Sequence, residues 1–166
     1  MMKDLQYGNM QDPDVYMDYT SRRTSNVIRI RNKFARLARK LIDEDKKQKA
    51  VETLDRAMEL TPHNQLPYGI WVLEILNEYY RADATEKGNA LAEELAGYTK
   101  EELNYYFSLS QPFANAISRE QRMAMHIMHR LSQITKQHGQ EELSKDYEEY
   151  LNNMVSSMQG GVGGGL

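Results

Sequence analysis

The sequence predicts an all-α protein, built from tetratricopeptide-like antiparallel helix hairpins that form a short right-handed solenoid of about seven helices. Three observations carry this. Apolar residues recur at steps of three and four along most of the chain, the period of a helix with one buried face. Only 4 prolines occur in 166 residues, so few positions forbid helix. Finally, Ala38 and Ala50 fall at the two small-residue points of a helix-turn-helix repeat of roughly 34 residues, where two backbones must approach closely.

Each element follows from its residues. Residues 1–12 are polar and read as a flexible segment. Asp12-Pro13-Asp14 reads as a helix start, with a first short element over Val15–Thr20. Val27, Ile30, Phe34, Leu37, Ala38 and Leu41 form one apolar stripe and predict a helix over Asn26–Glu44. Asp45-Lys46-Lys47 makes the turn. Ala50, Val51, Leu54, Ala57 and Met58 mark the return helix, which Thr61-Pro62 ends. Within this hairpin Phe34, Leu41 and Leu54 are the expected groove-fillers, and Leu37 is expected to be buried with them.

Pro67 opens a third helix to Arg81 that is apolar on most sides and therefore the most buried. Thr85 can cap a fourth, through Ala96. Gly88 inside it costs about 1 kcal/mol relative to alanine, which predicts a close contact with a neighbouring helix. Thr99 with Glu102 and Ser118 with Gln121 have the spacing of capping boxes, predicting starts for a short fifth helix and a long sixth. Gly139 stops the sixth, and the seventh runs over Gln140–Met158. The second hairpin matches the repeat less well: aligning Gly88 with Ala50 places Leu76 where a small residue belongs. The helical domain is expected over 13–158, followed by a disordered Gly-rich tail over 159–166.

Composition narrows the function classes. The chain has no cysteine, which removes disulfides and thiolate metal sites. No apolar run approaches the roughly 20 residues that span a bilayer, and the first residues lack the apolar stretch of a signal peptide. The net charge of −3 hides an asymmetry. Arg22, Arg23, Arg29, Arg31, Lys33, Arg36, Arg39 and Lys40 follow one another without an acid between them, leaving 13 basic against 24 acidic residues elsewhere. Such a run can meet an anionic surface, or simply be the solvated face of a helix.

Catalytic patterns are sparse. His63, His126, His129 and His138 sit in no triad spacing, and the glycine tail lacks the lysine and helix of a phosphate loop. In MAMHIMH, residues 123–129, His126 and His129 share a helical face among Met123, Met125 and Met128. Thioethers with imidazole suit copper(I), but no third strong ligand has matching spacing, and methionine packing explains the same residues. No metal or cofactor is expected. Tyr79-Tyr80 and Tyr105-Tyr106-Phe107 can stack on sugars or peptides but are expected to pack between hairpins. The candidate binding site is the groove of the hairpin array: Arg36 and Arg39 on one helix, Asn77 and Arg81 on the next, meeting a carboxylate or acidic peptide.

The run DPDVYMDYTSRRTSN…FARLARKLI…KAVETLDRAMEL…LPYGIWVLEILNEYY…EELNYYFSL, over about residues 11–150, resembles the C-terminal soluble part of a Bacteroidetes membrane-protein family. That family's multi-spanning region is uncharacterised and similar to protein O-mannosyltransferases. The resemblance implies membrane spans upstream of this chain, glycosyl-transfer chemistry in those absent segments, and no catalytic residue here. It implies a non-catalytic interaction or scaffolding domain, membrane-associated through the upstream region and periplasmic. Its partners are then a protein or peptide and the upstream transmembrane region, with possible contact to the membrane surface. Nucleic acid is not an expected partner, although the Arg22–Lys40 run makes a free-standing module for an anionic partner, nucleic acid or headgroups, the alternative. A small enzyme is a third class.

Overall fold

The computed structural model describes residues 12–16 and 26–160. The expected flexible segment up to residue 11, the end of the first short element, Arg22 and Arg23, and the last six residues of the tail lie outside the described residues. Seven helices and no strand occur among those described: α1 Asn26–Asp43, α2 Lys47–Leu60, α3 Val72–Arg81, α4 Thr85–Ser108, α5 Gln111–Ala116, α6 Ser118–Gln137 and α7 Glu141–Gly160. The protein is all-α. Its contacts cluster into two compact units, one ending at Gly88 and one beginning at Asn89.

In the first unit, α1 packs antiparallel on α2, and α3 packs on both. Ala38, Ala50 and Ala57 are fully buried, so the helix axes come close, and Phe34, Leu54, Ile75 and Leu76 fill the space left. Seven of the ten residues of α3 are buried. Leu37 is the exception to its stripe. It is 43% exposed, because it lies at the margin of the buried face set by Phe34, Ala35 and Ala38. In the second unit, α6 and α7 form a hairpin whose core holds Met128, Leu131 and Tyr147, while Leu95 and Leu103 are buried on α4.

Three hairpin turns share one geometry. Asp45 (φ 58°), Asp83 (φ 60°) and Gly139 (φ 74°) are the residues with a left-handed backbone among those described. After α1, the Lys46 N–H donates to the Leu41 carbonyl at 2.8 Å and the Asp45 N–H to Ile42 at 2.9 Å. Ala84 and Asp83 repeat this on Tyr79 and Tyr80, and Gln140 and Gly139 on Thr135 and Lys136. These are Schellman caps, which satisfy the last carbonyls of a helix and reverse the chain. Five residues beyond each left-handed residue stands a small buried one: Ala50, Gly88 and Ser144. Seven residues before it stand Ala38, Leu76 and Ser132. In the α6–α7 hairpin the two serines meet, with Ser144 Oγ donating to the Ser132 carbonyl at 3.1 Å. The third hairpin therefore follows the spacing of the first more closely than the second does.

Gly88 shows why the second hairpin departs. A Cβ there would lie 2.6 Å from the Tyr80 ring, so the close contact anticipated from this glycine is with the aromatic face of α3.

Four local expectations are corrected. Asp12-Pro13-Asp14 makes a turn rather than a helix start within the described residues: the Asp12 carboxylate accepts from the Asp14 N–H at 3.0 Å and its carbonyl from the Val15 N–H at 3.1 Å. The third helix starts at Val72, not Pro67, because the carbonyls of Leu66 and Pro67 turn toward Arg31. The expected fourth and fifth helices are one, α4. Thr99 does not cap; its Oγ1 donates back to the Leu95 carbonyl at 2.7 Å, a bond that lets threonine sit inside a helix. Ser118 is likewise inside α6, behind an N-cap at Ile117, and the Gln121 amide donates to the Tyr106 carbonyl at 3.2 Å instead of closing a capping box. The short helix α5, with Pro112 in its first turn, follows α4.

Candidate functional site

The cations of α1 divide by helical face. Arg31 lies three residues before Phe34 and seven before Ala38, on the buried side, and is 2% exposed. Its guanidinium faces no carboxylate among the described residues. Nε donates to Thr61 Oγ1 at 3.0 Å; the other nitrogens donate to the carbonyls of Thr61 (2.7 Å), Leu66 (2.6 Å) and Pro67 (3.2 Å). The Tyr68 ring lies under it, 5.0 Å from centroid to Cζ. Burial lowers its pKa to about 10, and Tyr68 counters part of that. Arg31 thus clamps the α2–α3 connection through the end of α2, where helix carbonyls favour a cation.

Arg39 points toward α3. Its Nε donates to Glu78 Oε1 at 2.8 Å and a terminal nitrogen to Glu74 Oε2 at 2.7 Å. Arg81 holds the other oxygen of Glu78 at 2.7 Å and reaches Asp43 at 3.1 Å. Glu78 is fully buried, and a buried carboxylate is tolerated when its oxygens are paired in this way. Of the predicted groove residues, Arg39 and Arg81 therefore converge, but on the protein's own acids. Asn77 lies beside them on α3, half-buried. Arg36 faces away from the network and is exposed.

Arg36 belongs to a different surface. Arg29, Lys33, Arg36 and Lys40 are all exposed and follow each other at four, three and four residues. That spacing sets them in one row along α1. No ion pair joins any of them to a carboxylate among the described residues, and exposed Leu37 stands beside Arg36 and Lys33.

The second unit carries a cleft of about 750 Å³ between α4 and the start of α7. Ala96 and Gly97 leave room in its wall, and Glu93, Glu141, Glu142 and Asp146 make it acidic. Lys100 is the basic residue of its lining. It pairs with Asp146 at 2.7 Å and lies over the rings of Tyr147 (5.7 Å) and Tyr150 (5.2 Å). Such a cleft repels phosphates and carboxylates and favours cationic groups.

The remaining candidates are dispersed. His126 and His129 are exposed on α6, with His129 Nε2 2.9 Å from the Gln133 amide, while Met128 between them is fully buried. Among the described residues no three His, Asp or Glu side chains converge as a metal site. Tyr79 and Tyr80 are buried, as core packing requires. Tyr105 corrects the same expectation: it is 61% exposed, because it projects from the last turns of α4. Glu78 and the acidic cleft were not singled out from sequence, and Arg31 only as a member of the basic run, although the three- and seven-residue steps from Arg31 to Phe34 and Ala38 carry a signal for its burial.

No family model, curated protein or solved structure matches the chain. No described helix is long and apolar enough to cross a membrane.

Proposed function

We propose that this chain is a non-catalytic interaction or scaffolding domain with tetratricopeptide-like hairpins that takes an acidic protein segment along α1. The observation that carries the reading is the row Arg29, Lys33, Arg36 and Lys40: four exposed cations on one helix face, none of them in an ion pair with a carboxylate among the described residues. The same helix assigns Arg39 to Glu74 and Glu78, so the open row contrasts with cations that serve the fold. The shared Schellman turns and the small residues around them support stacking of the hairpins as a short solenoid.

The resemblance to the Bacteroidetes membrane proteins supplies the setting. The domain follows membrane spans of a glycosyltransferase-like protein and works on the periplasmic side. A reporter fusion at Leu166 of the full-length protein tests that side: active alkaline phosphatase is expected, and a silent phosphatase with a bright fluorescent fusion places the domain inside.

Binding is tested by fluorescence anisotropy with a labelled polyglutamate peptide. Binding should weaken as salt rises and vanish in a variant with all four row cations changed to glutamine, whose circular dichroism stays helical. Equal binding by that variant removes the reading. Tighter binding of single-stranded DNA than of polyglutamate would favour the nucleic-acid alternative.

A further inference from the structure

Two surfaces of opposite charge lie on the two units of the chain. On α1 the row Arg29, Lys33, Arg36 and Lys40 is exposed and forms no ion pair among the described residues. In the second unit, Glu93 of α4 and Glu141 and Glu142 of α7 line the cleft of about 750 Å³. They too are exposed and form no ion pair among the described residues.

One end of the cleft already holds a basic side chain. The Lys100 ammonium pairs with Asp146 at 2.7 Å and lies over the Tyr147 and Tyr150 rings, a combination of carboxylate and aromatic face that suits a cation. The rest of the cleft has the acids without the cation, and it has space. Gly97 lies inside α4, where glycine is destabilising relative to alanine. At Gly88 the Tyr80 ring accounts for the missing side chain, but a Cβ at Gly97 would meet nothing within 4 Å. That space, walled also by Ala96 and half-buried Leu143, is open to a side chain from outside.

We infer that the α1 row of one copy of the chain docks on this cleft in a second copy, its cations meeting Glu93, Glu141 and Glu142 and Leu37 entering beside Gly97. The inference rests on the reading of α1 as a surface for an acidic protein segment, and it names that segment. Charge complementarity selects the second copy. The cleft calls for several cations on one face with an apolar side chain among them. The steps of four, three and four along α1 set its cations in such a row, and Leu37, 43% exposed, stands within it. A small cation would neutralise the cleft and leave the row open, and an acidic peptide would do the reverse; pairing the two surfaces answers both. The faces are unlike, so each contact leaves one row and one cleft for further copies until a ring closes.

The test is sedimentation velocity of the whole chain over a range of concentrations at low salt. The wild type should sediment faster as concentration rises and return to the monomer as salt screens the contact. A row variant has Arg29, Lys33, Arg36 and Lys40 changed to glutamine; a cleft variant carries Glu93→Gln, Glu141→Gln and Glu142→Gln. Each should self-associate on the order of tenfold more weakly, or not at all. The cleft variant brings the net charge from −3 to zero, which by itself favours association, so its loss of association reports the contact and not the overall charge. Mixed together, the two variants should form a one-to-one pair and nothing larger, because one keeps the row and the other keeps the cleft. That pairing also shows that both variants fold. A wild type that stays monomeric, self-association that persists in either variant, or a mixture that does not pair overturns the inference. Polyglutamate separates its failure from that of the reading beneath it. A monomeric wild type that binds the peptide through the row removes the inference alone, and one that does neither removes both.

Discussion

Arg31 and Tyr79 set opposite pH dependences from neighbouring positions in one core. Tyr79 donates to Asp55 Oδ1 at 2.9 Å, and burial, followed by the charge and hydrogen bond of Asp55, raises its phenol above the ordinary range. A raised pKa contributes stability that is complete below the unfolded value and lost as pH rises past about 10. Arg31 is lowered to about 10, so its folded form releases a proton before its unfolded form does, and its contribution to stability rises with pH above that point. Replacing Tyr79 by Phe removes only the first effect. Near neutral pH, Tyr79→Phe should cost about 1 kcal/mol for the lost bond. Thermal melts of both proteins at rising pH should show the gap close above pH 10 or so; a gap that widens contradicts the assignment. Arg31→Lys keeps the charge but cannot supply the fork of donors, and should cost about 2–3 kcal/mol by urea denaturation. A basic residue inside a basic run looks like a solvated one. What separates Arg31 from Arg29 and Lys33 is helical phase, and that much was legible from the spacing to Phe34 and Ala38.

Among the elements, the hairpin turns and the small residues around them decide what can be exchanged. Gly139→Ala places a side chain in a left-handed conformation and should cost about 1 kcal/mol, whereas Asp45→Gly relieves the same conformation and should be neutral or stabilising by a few tenths. Chemical denaturation should show a loss of stability for Gly139→Ala and none for Asp45→Gly. Gly88→Ala gains about 1 kcal/mol of helix propensity, yet its methyl meets the buried Tyr80 ring, so the variant should be less stable than the parent; a higher melting temperature would show that the ring moves aside. Leu54→Ala should cost about 2–5 kcal/mol because it opens a cavity, while Leu37→Ala, at the exposed margin of α1, should cost under about 1 kcal/mol. The all-α class and the first hairpin were legible because apolar period and small residues speak together there. The single long α4 was not. A threonine followed three residues later by glutamate describes a capping box and a helix interior equally well, and only the Thr99 bond to Leu95 distinguishes them. The groove residues were legible as neighbours but not as a free site. Glu74 and Glu78, one turn apart on α3, take up the charge of Arg39, and Glu78 also takes up that of Arg81.

For the molecule as a whole, the net charge of −3 says little about how it meets a partner. Arg31 is buried and Arg39 is paired within the fold, and what remains on α1 is a row without an ion pair among the described residues, while a cleft of the second unit is lined with carboxylates. Changing the row to glutamine should leave the melting temperature within a few degrees of the parent, because exposed unpaired cations contribute little to stability. It should also delay elution from an anion-exchange column, and a large loss of stability instead would mean that the row serves the fold. The guanidinium of Arg31 has a further consequence, for digestion. The stretch 61–71 is the longest connection between helices from residue 26 to residue 160, and it contains Tyr68 and exposed Trp71, both suited to a chymotrypsin-type enzyme. Such an enzyme must draw some residues on either side of the cut into an extended form. Four donor contacts from one side chain hold Thr61, Leu66 and Pro67 in place, so the irregular segment should resist nicking as well as the helices around it, and the Arg31→Lys variant should be cut there first.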